Sequence, residues 1–240
     1  MKTIHLGQSI SLVVPCYNEE VGIRKLLGLP LKPLIDEIVV VDNNSQDGTH
    51  QIALSLGAKV VHEKVQGYGR AYKAGFKRAS GDVIITLDGD MTYPVQETPR
   101  LVKILVDENL DFISCKRFPL VNGRSMKAHS RIGNLLLTLA TNALFPVRII
   151  DSQSGMWVFR REIMNKVMLA SDDMAFSEEI KIEAFIHPEI RAKECWIKYE
   201  ERLGNTKLLP LKHGMLNLLY LFKIRLKLRN PADFLKLDGS

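Results

Sequence analysis

Three apolar runs, at residues 9–15, 36–42 and 82–87, each finish in a polar cluster and are separated by stretches with helical periodicity. Continuous Val/Ile runs with no polar alternation belong to strands buried on both faces, which occur almost only in parallel sheets covered by helices on each side. The reading is β-α alternation: strands at 9–15, 36–42, 59–62 and 82–87, with helices at 19–28, 47–56 and 68–79 between them. Ligands of such sheets collect at the carboxyl ends of the strands. Further along, helices are expected at 97–108, 130–145, 161–169 and 178–186, and strands at 112–115, 155–159 and 192–199. The expected fold class is therefore α/β, with a mostly parallel central sheet and helices on both faces.

The strand at 82–87 runs directly into Asp88-Gly89-Asp90, two carboxylates flanking a glycine. Paired carboxylate oxygens suit Mg²⁺ or Mn²⁺, ions that keep open positions for substrate phosphates. An Asp-x-Asp triplet alone is a weak signal, since an acidic turn has the same composition. Its neighbours on the same rim give it weight. The first strand ends in Pro15-Cys16-Tyr17-Asn18-Glu19-Glu20 and the second in Asp42-Asn43-Asn44-Ser45-Gln46-Asp47-Gly48-Thr49. Asn18 and Asp47 read separately as helix caps and 43–48 as a turn. Together they surround a space where Asp42 could accept a base N–H and Pro15 could frame a flat ring.

Length and composition bound the rest. The 240 residues, 46% hydrophobic and 25% charged, fit one globular domain and exclude disorder. Cys16, Cys115 and Cys195 are odd in number and widely spaced, which indicates neither a disulfide framework nor a zinc site and fits a reducing cytosol. The first residues lack a signal peptide's apolar stretch, and the weakly polar region 135–150 is interrupted by Thr138, Thr141, Asn142, Pro146 and Arg148, so no membrane-spanning helix is expected. The net charge of +6 is local: residues 202–229 carry Arg202, Lys207, Lys212, Lys223, Arg225, Lys227 and Arg229 with no Asp or Glu, interleaved with leucines and aromatics. That composition suits a membrane surface, or a packed C-terminal helix with a basic edge. Nucleic acid is not an expected partner.

The set Val14 to Glu20, Val41 to Thr49, Gly67-Tyr68-Gly69-Arg70-Ala71 and Asp88-Gly89-Asp90 resembles the family-2 glycosyltransferases of the GT-A nucleotide-sugar binding fold. Arg131-Ile132-Gly133-Asn134, Asp151-Ser152-Gln153-Ser154-Gly155-Met156 with Arg160-Arg161-Glu162, and Arg202-x-Gly204-Asn205-Thr206-Lys207 narrow the likeness to dolichyl- or polyprenyl-phosphate sugar synthases. The resemblance implies a nucleotide-sugar pocket lined by Pro15, Tyr17, Asn18, Glu20, Asp42, Asn44, Asp47, Gly67, Arg70, Asp88, Gly89 and Asp90. It implies a metal held by Asp88 and Asp90, and a catalytic set of Asp90, Arg117, Arg131, Arg202 and Lys207. Acceptor contacts fall to Arg117, Arg131 and Ser154. Where many relatives have a Gln two residues past the second Asp this chain has Thr92, and Gln153 stands as the candidate third metal ligand.

The implied organisation is one domain, with a nucleotide-sugar half (1–117), an acceptor half (118–208) and a basic amphipathic segment (209–240). The implied reaction is inverting transfer of a hexose or N-acetylhexosamine to dolichyl or polyprenyl phosphate at the cytoplasmic face of a membrane. UDP-glucose or UDP-N-acetylglucosamine is favoured as donor by the 153–157 segment. GDP-mannose is the alternative donor, a sugar or protein hydroxyl the alternative acceptor, and a nonenzymatic nucleotide-sugar or membrane-binding module the reading from another class. The transmembrane helices that many such synthases carry are not expected here, so membrane contact falls to the basic segment, to an anchoring partner or to a homo-oligomer.

Overall fold

The structure is a computed structural model that describes residues 7–32, 34–203 and 210–227. One seven-stranded sheet runs in the order β3-β2-β1-β4-β6-β5-β7. Its strands are β1 (Ile10–Cys16), β2 (Glu37–Asp42), β3 (Lys59–His62), β4 (Val83–Thr86), β5 (Phe112–Lys116), β6 (Trp157–Arg160) and β7 (Ala192–Trp196). The first four are parallel neighbours, and β7 is parallel to β5. β6 alone runs antiparallel, between β4 and β5. The sheet is thus mostly parallel, as the apolar runs demand.

Side-chain alternation splits the core into two layers. Leu12, Val14, Val40, Val83 and Ile85 point to one face, where α1 (Glu20–Leu27), α2 (Thr49–Ser55) and α4 (Thr98–Asp107) add Ile23, Leu26, Ile52, Ala53, Leu101 and Leu105. Val13, Val39, Val41 and Ile84 point to the other, where α3 (Tyr68–Arg78) and α6 (Phe176–Ile186) add Tyr72, Phe76, Phe176 and Ile180. A third cluster joins α6 to α5 (Ala128–Leu144) and α7 (Pro210–Lys227) through Ile182, Leu221 and Ile224, with the 145–149 segment below α5.

The expected elements are present, with differences at their ends. Residues 161–169 form only a short 3-10 turn, Arg161–Asn165, in place of the expected helix. The Arg161 guanidinium there reaches the Gly81 carbonyl at 2.9 Å, which holds the segment against the start of β4. β7 ends at Trp196 rather than at residue 199: the Ile197 N–H still bonds the Lys116 carbonyl of β5 at 3.0 Å, but beyond it the Glu200 N–H leaves that ladder for the Thr92 carbonyl. Helix α6 begins at Phe176, two residues before the expected start, and the Ser177 hydroxyl in its first turn donates to the Ser154 carbonyl at 3.0 Å.

Two packing facts position the rim. A Cβ on Gly22 of α1 would stand 2.0 Å from the Gly89 carbonyl oxygen, and one on Gly89 would meet Cys16 Sγ at 2.7 Å. Helix α1 therefore closes backbone to backbone on the Asp88–Asp90 turn, and only glycine fits at both contacts. The second fact is the polar load on α6, whose Glu178, Lys181 and Glu183 are all buried. Burial pushes the Glu183 carboxyl up to about 7, and Glu179 adds to the shift against a hydrogen bond from the Met168 N–H.

Gly22→Ala is expected to cost roughly 1–3 kcal/mol by forcing α1 off the turn, and to weaken Mn²⁺ binding; denaturant melts and a Mn²⁺ titration check both. Glu183 has its folded pKa above its unfolded value of 4.5. Its favourable contribution is therefore complete below pH 4.5 and lost as pH rises through about 7. Unfolding free energy is expected to fall between pH 5 and pH 8 in the wild type, and Glu183→Gln should flatten that fall by on the order of 2 kcal/mol at the alkaline end, as denaturant melts at each pH will read.

Candidate functional site

Parallel pairing puts the ends of β1 and β2 level, with Cys16 beside Asp42, and puts Asp42 beside His62 of β3. The Asp88–Asp90 turn follows β4 on the same rim. The loop after β1 and the loop after β2 are stitched together by their own side chains. Asn18, in the left-handed region at φ 53°, accepts from the Gln46 N–H at 2.7 Å and its own N–H donates to Ser45 Oγ at 3.0 Å. Asp47 accepts from the Thr49 N–H at 3.0 Å and the Glu20 N–H at 3.2 Å, while Glu20 accepts from the Gly48 N–H at 3.1 Å. Asn18, Glu20 and Asp47 thus brace the two loops against each other at this rim. Asn44, at φ 63°, makes the turn between them, and Pro15 and Tyr17 lie half-buried beside it.

Asp42 is buried, and its carboxylate takes the Ser45 N–H at 3.0 Å and both His62 Nδ1 at 2.9 Å and His50 Nδ1 at 3.2 Å. Burial raises its pKa, and the hydrogen bonds from Ser45, His62 and His50 more than offset that, leaving it below the usual carboxylate value.

The two carboxylates of the turn have different surroundings. Asp88 Oδ1 accepts from Tyr68 OH at 3.3 Å and Tyr72 OH at 3.4 Å. Asp90 is buried, takes the Thr92 N–H at 3.0 Å and the Thr92 hydroxyl at 2.6 Å on one oxygen, and pairs its other oxygen with Arg202 Nη1 at 2.8 Å. Arg202 also bonds Glu19 through Nη2. Desolvation and the neighbouring Asp90 charge lift Asp88 to about 7, against the pull of Arg202 and Arg117. Two carboxylates so crowded fit a divalent cation, which relieves the repulsion that one arginine only partly balances. Oxygen donors suit Mg²⁺ or Mn²⁺. Thr92 anchors Asp90 through its N–H and its hydroxyl.

The segment 151–155 forms the wall opposite. A Cβ on Gly155 would lie 3.3 Å from both Asp88 carboxylate oxygens, so the bare backbone of Gly155 lets Asp88 sit against it. The Gly155 carbonyl accepts from Thr86 Oγ1 at 2.8 Å and Tyr72 OH at 3.2 Å, and its N–H donates to Tyr93 OH at 2.7 Å. Gln153 has its amide fully bonded: Nε2 donates to Glu178 at 2.6 Å and Ser152 at 3.0 Å, and Oε1 accepts from Asn217 of α7 at 3.0 Å. Ser154 is buried and donates to the Cys115 carbonyl.

The remaining candidates are positioned as follows. Arg117 is buried under the ring of Tyr199 and forms a two-pronged pair with Asp151, Nε to Oδ2 and Nη2 to Oδ1, each 2.8 Å. Despite burial, the Arg117 charge and hydrogen bonds hold Asp151 well below the usual carboxylate range. Arg131 reaches back to the Met126 carbonyl at 3.0 Å and to Gly123, bracing the start of α5. Arg70 and Lys73 both pair with Asp172. Gly67 and Gly69 let the start of α3 approach that loop, since a Cβ on either would meet the Asp172 or Ser171 carbonyl within 2.5 Å. Lys207 lies outside the described residues.

Sequence reasoning missed Glu19, Tyr68, Tyr72, Thr86 and Tyr93 as supports of the turn, and His50 and His62 around Asp42. Spacing gives no signal for the tyrosines, which reach the turn only through the packing of α3 and the 91–94 loop. The Glu19–Arg202 contact joins the two ends of the chain and leaves no local pattern. His62 was readable in principle, being the last residue of a strand beside the one that ends in Asp42.

Comparison with known proteins agrees with this geometry. Residues 11–168 match Glycosyl transferase family 2. The low-salt glycan biosynthesis hexosyltransferase Agl6 of Haloferax volcanii is 32% identical over 216 residues, 87% of this chain and 52% of that protein, so the chain spans about half the length of this relative. The dolichyl-phosphate hexose transferase of the same organism is 31% identical over 220 residues, 88% of this chain and 92% of that protein. Among solved structures, glucosyl-3-phosphoglycerate synthase of Mycobacterium tuberculosis, in complex with Mn²⁺, UDP and glucosyl-3-phosphoglycerate, superposes with a TM-score of 0.67 at 21% identity, covering 91% of this chain and 80% of that one. The fold is the GT-A fold, and the chain belongs to glycosyl transferase family 2.

Proposed function

We propose that this chain moves a hexosyl or N-acetylhexosaminyl group from a nucleotide sugar, with UDP-glucose or UDP-N-acetylglucosamine favoured, to the phosphate of a polyprenyl or dolichyl lipid. The observation that carries this reading is the continuity between the carboxylate turn and an exposed apolar surface. Asp88 lies against Gly155, two residues from Gln153, and Gln153 is bonded to Asn217 on α7. On the outside of α7, Met215, Leu216, Leu219, Phe222 and Leu226 are exposed, and on α5, which packs against it, so are Ile132, Leu135, Leu136 and Leu139. Exposed Lys223 and Arg225 interleave with them. Apolar area with interspersed cations suits the boundary of an anionic bilayer. None of the described helices is long and apolar enough to cross a membrane, so this surface is the candidate contact, and free, buried Cys16, Cys115 and Cys195 fit a cytoplasmic setting. The dolichyl-phosphate relative supports the lipid acceptor.

The residues divide the chemistry as follows. Asp42, Asn18 and Asp47 with their loops hold the nucleoside. Asp88 and Asp90 hold Mg²⁺ or Mn²⁺, which when bound neutralises the departing diphosphate. Arg202 offers a planar fork at the same point, with its Nε buried and unpartnered among the described residues. An acceptor phosphate oxygen attacks the anomeric carbon opposite the leaving group and inverts it. A phosphate monoester has its second pKa near about 6, so it arrives as a dianion and needs no general base. Glu178 fits that demand: burial raises its carboxyl to about 8, leaving it protonated at neutral pH and unsuited to take a proton.

The test incubates the protein with Mn²⁺, polyprenyl phosphate and, separately, labelled UDP-glucose, UDP-N-acetylglucosamine and GDP-mannose, and counts label extracted into organic solvent. Metal-dependent lipid label from one donor is expected, with a loss of about a hundredfold or more in Asp90→Ala and less than about threefold in Glu178→Gln. A thousandfold loss in Glu178→Gln with donor binding intact would point instead to a hydroxyl acceptor. Cosedimentation with anionic vesicles should fall severalfold in Leu219→Ser/Phe222→Ser and Leu136→Ser/Leu139→Ser, and fall with added salt in the wild type.

A further inference from the structure

A second polar cluster lies at the end of β2, outside the carboxylate turn. Asp42 Oδ2 receives two imidazole nitrogens, His62 Nδ1 at 2.9 Å and His50 Nδ1 at 3.2 Å. One ligand atom from each of the three residues lies within 4.8 Å of the others. They come from three separate elements: Asp42 and His62 are register partners at the ends of β2 and β3, and His50 is the second residue of α2. The imidazole rings stand edge to face with centroids 5.8 Å apart, and both Nδ1 atoms face the same Asp42 oxygen. The Asp42 side chain is 2% exposed while those of His50 and His62 are 33% and 42% exposed, so the cluster has a fixed base and an open mouth.

We propose that Asp42, His50 and His62 form a second metal site, selective for a borderline transition cation such as Zn²⁺ and distinct from the hard-ion site at Asp88 and Asp90. Zinc bound by imidazole and carboxylate has bonds of roughly 2.0–2.2 Å, which separates tetrahedral ligands by roughly 3.3 Å. The two distances to Asp42 Oδ2 need only a few tenths of an ångström of adjustment to meet that. Two imidazoles and one carboxylate are a zinc donor set, whereas Mg²⁺ and Ca²⁺ take oxygen. Three protein ligands and an exposed mouth leave the fourth position to water or an added ligand. Because Asp42 is also the residue given to the nucleobase, an ion held there competes with donor binding. This last clause rests on the proposed function; the metal site does not.

The test titrates Zn²⁺ alone into the chelator-stripped full chain by calorimetry, with Co²⁺ absorption reporting the geometry. One Zn²⁺ per chain is expected, bound at least tenfold more weakly by His50→Ala and by His62→Ala, and retained by Asp88→Asn/Asp90→Asn. His50→Gln and His62→Gln keep a hydrogen bond to Asp42 with a poor zinc ligand, so they separate metal loss from misfolding, and Mn²⁺ binding at the other site verifies their fold. Zn²⁺ binding that is absent in the wild type, unchanged in the histidine variants or lost with Asp88 and Asp90 overturns the site. UDP affinity that is unaltered by saturating Zn²⁺ overturns the competition and leaves the site standing.

Discussion

Two carboxylates one residue apart in a half-dry turn repel each other, and much of the surrounding structure is arranged to hold them there. Thr92 ties one oxygen of Asp90 with two hydrogen bonds, Arg202 neutralises the other, and two tyrosine hydroxyls support Asp88. The backbone must come close as well, since Gly22, Gly89 and Gly155 each stand where a methyl group would collide with the turn or its neighbours. A buried like-charge pair is a poor contributor to stability and a good receptor for a cation. The fold bears that cost at the carboxyl-end rim of its parallel strands.

A second buried charge system lies behind the first. Arg117 and Asp151 meet at two points and out of water, and Lys181 donates to the Asp151 and Ser152 carbonyls at 3.0 and 2.8 Å. Lys181 is lowered to about 7 by burial, so it joins this network as a donor close to losing its charge. Removing one member of such a pair is more damaging than replacing both. The arrangement fixes the 151–155 segment, and through Gly155 it fixes the wall against Asp88. Arg117 thus holds the 151–155 loop through Asp151.

How much of this was legible in the sequence depends on whether the signal was local. The strands and the rim were legible because Val39-Val40-Val41-Asp42 and Ile84-Ile85-Thr86-Leu87-Asp88 carry both the period of a buried strand and its polar end. The antiparallel insertion of β6 between β4 and β5 was not, because Trp157-Val158-Phe159 reads the same in either direction. The apolar spacing of 161–169 reads as a helix, yet hydrogen bonds to the start of β4 divert it. The resemblance singles out the arginines, but their partners, Asp151 for Arg117 and Asp172 for Arg70, are set by tertiary packing that no spacing encodes. The C-terminal segment posed a choice between packing and membrane contact, and α7 presents both: Leu221 and Ile224 inside, Leu219 and Phe222 outside.

The strap at residues 200–203 has a consequence for the order in which the site matures. Glu200 N–H bonds to Thr92, Leu203 N–H bonds to the Asp90 carbonyl, and Arg202 links Asp90 to Glu19. Everything else around the turn belongs to chain made earlier. On a nascent polypeptide the seven strands cannot be complete before β7, and the counter-charge for Asp90 arrives only after it. Until then Asp90 lacks the arginine that pairs with it, so the turn is among the last parts of the rim to be completed.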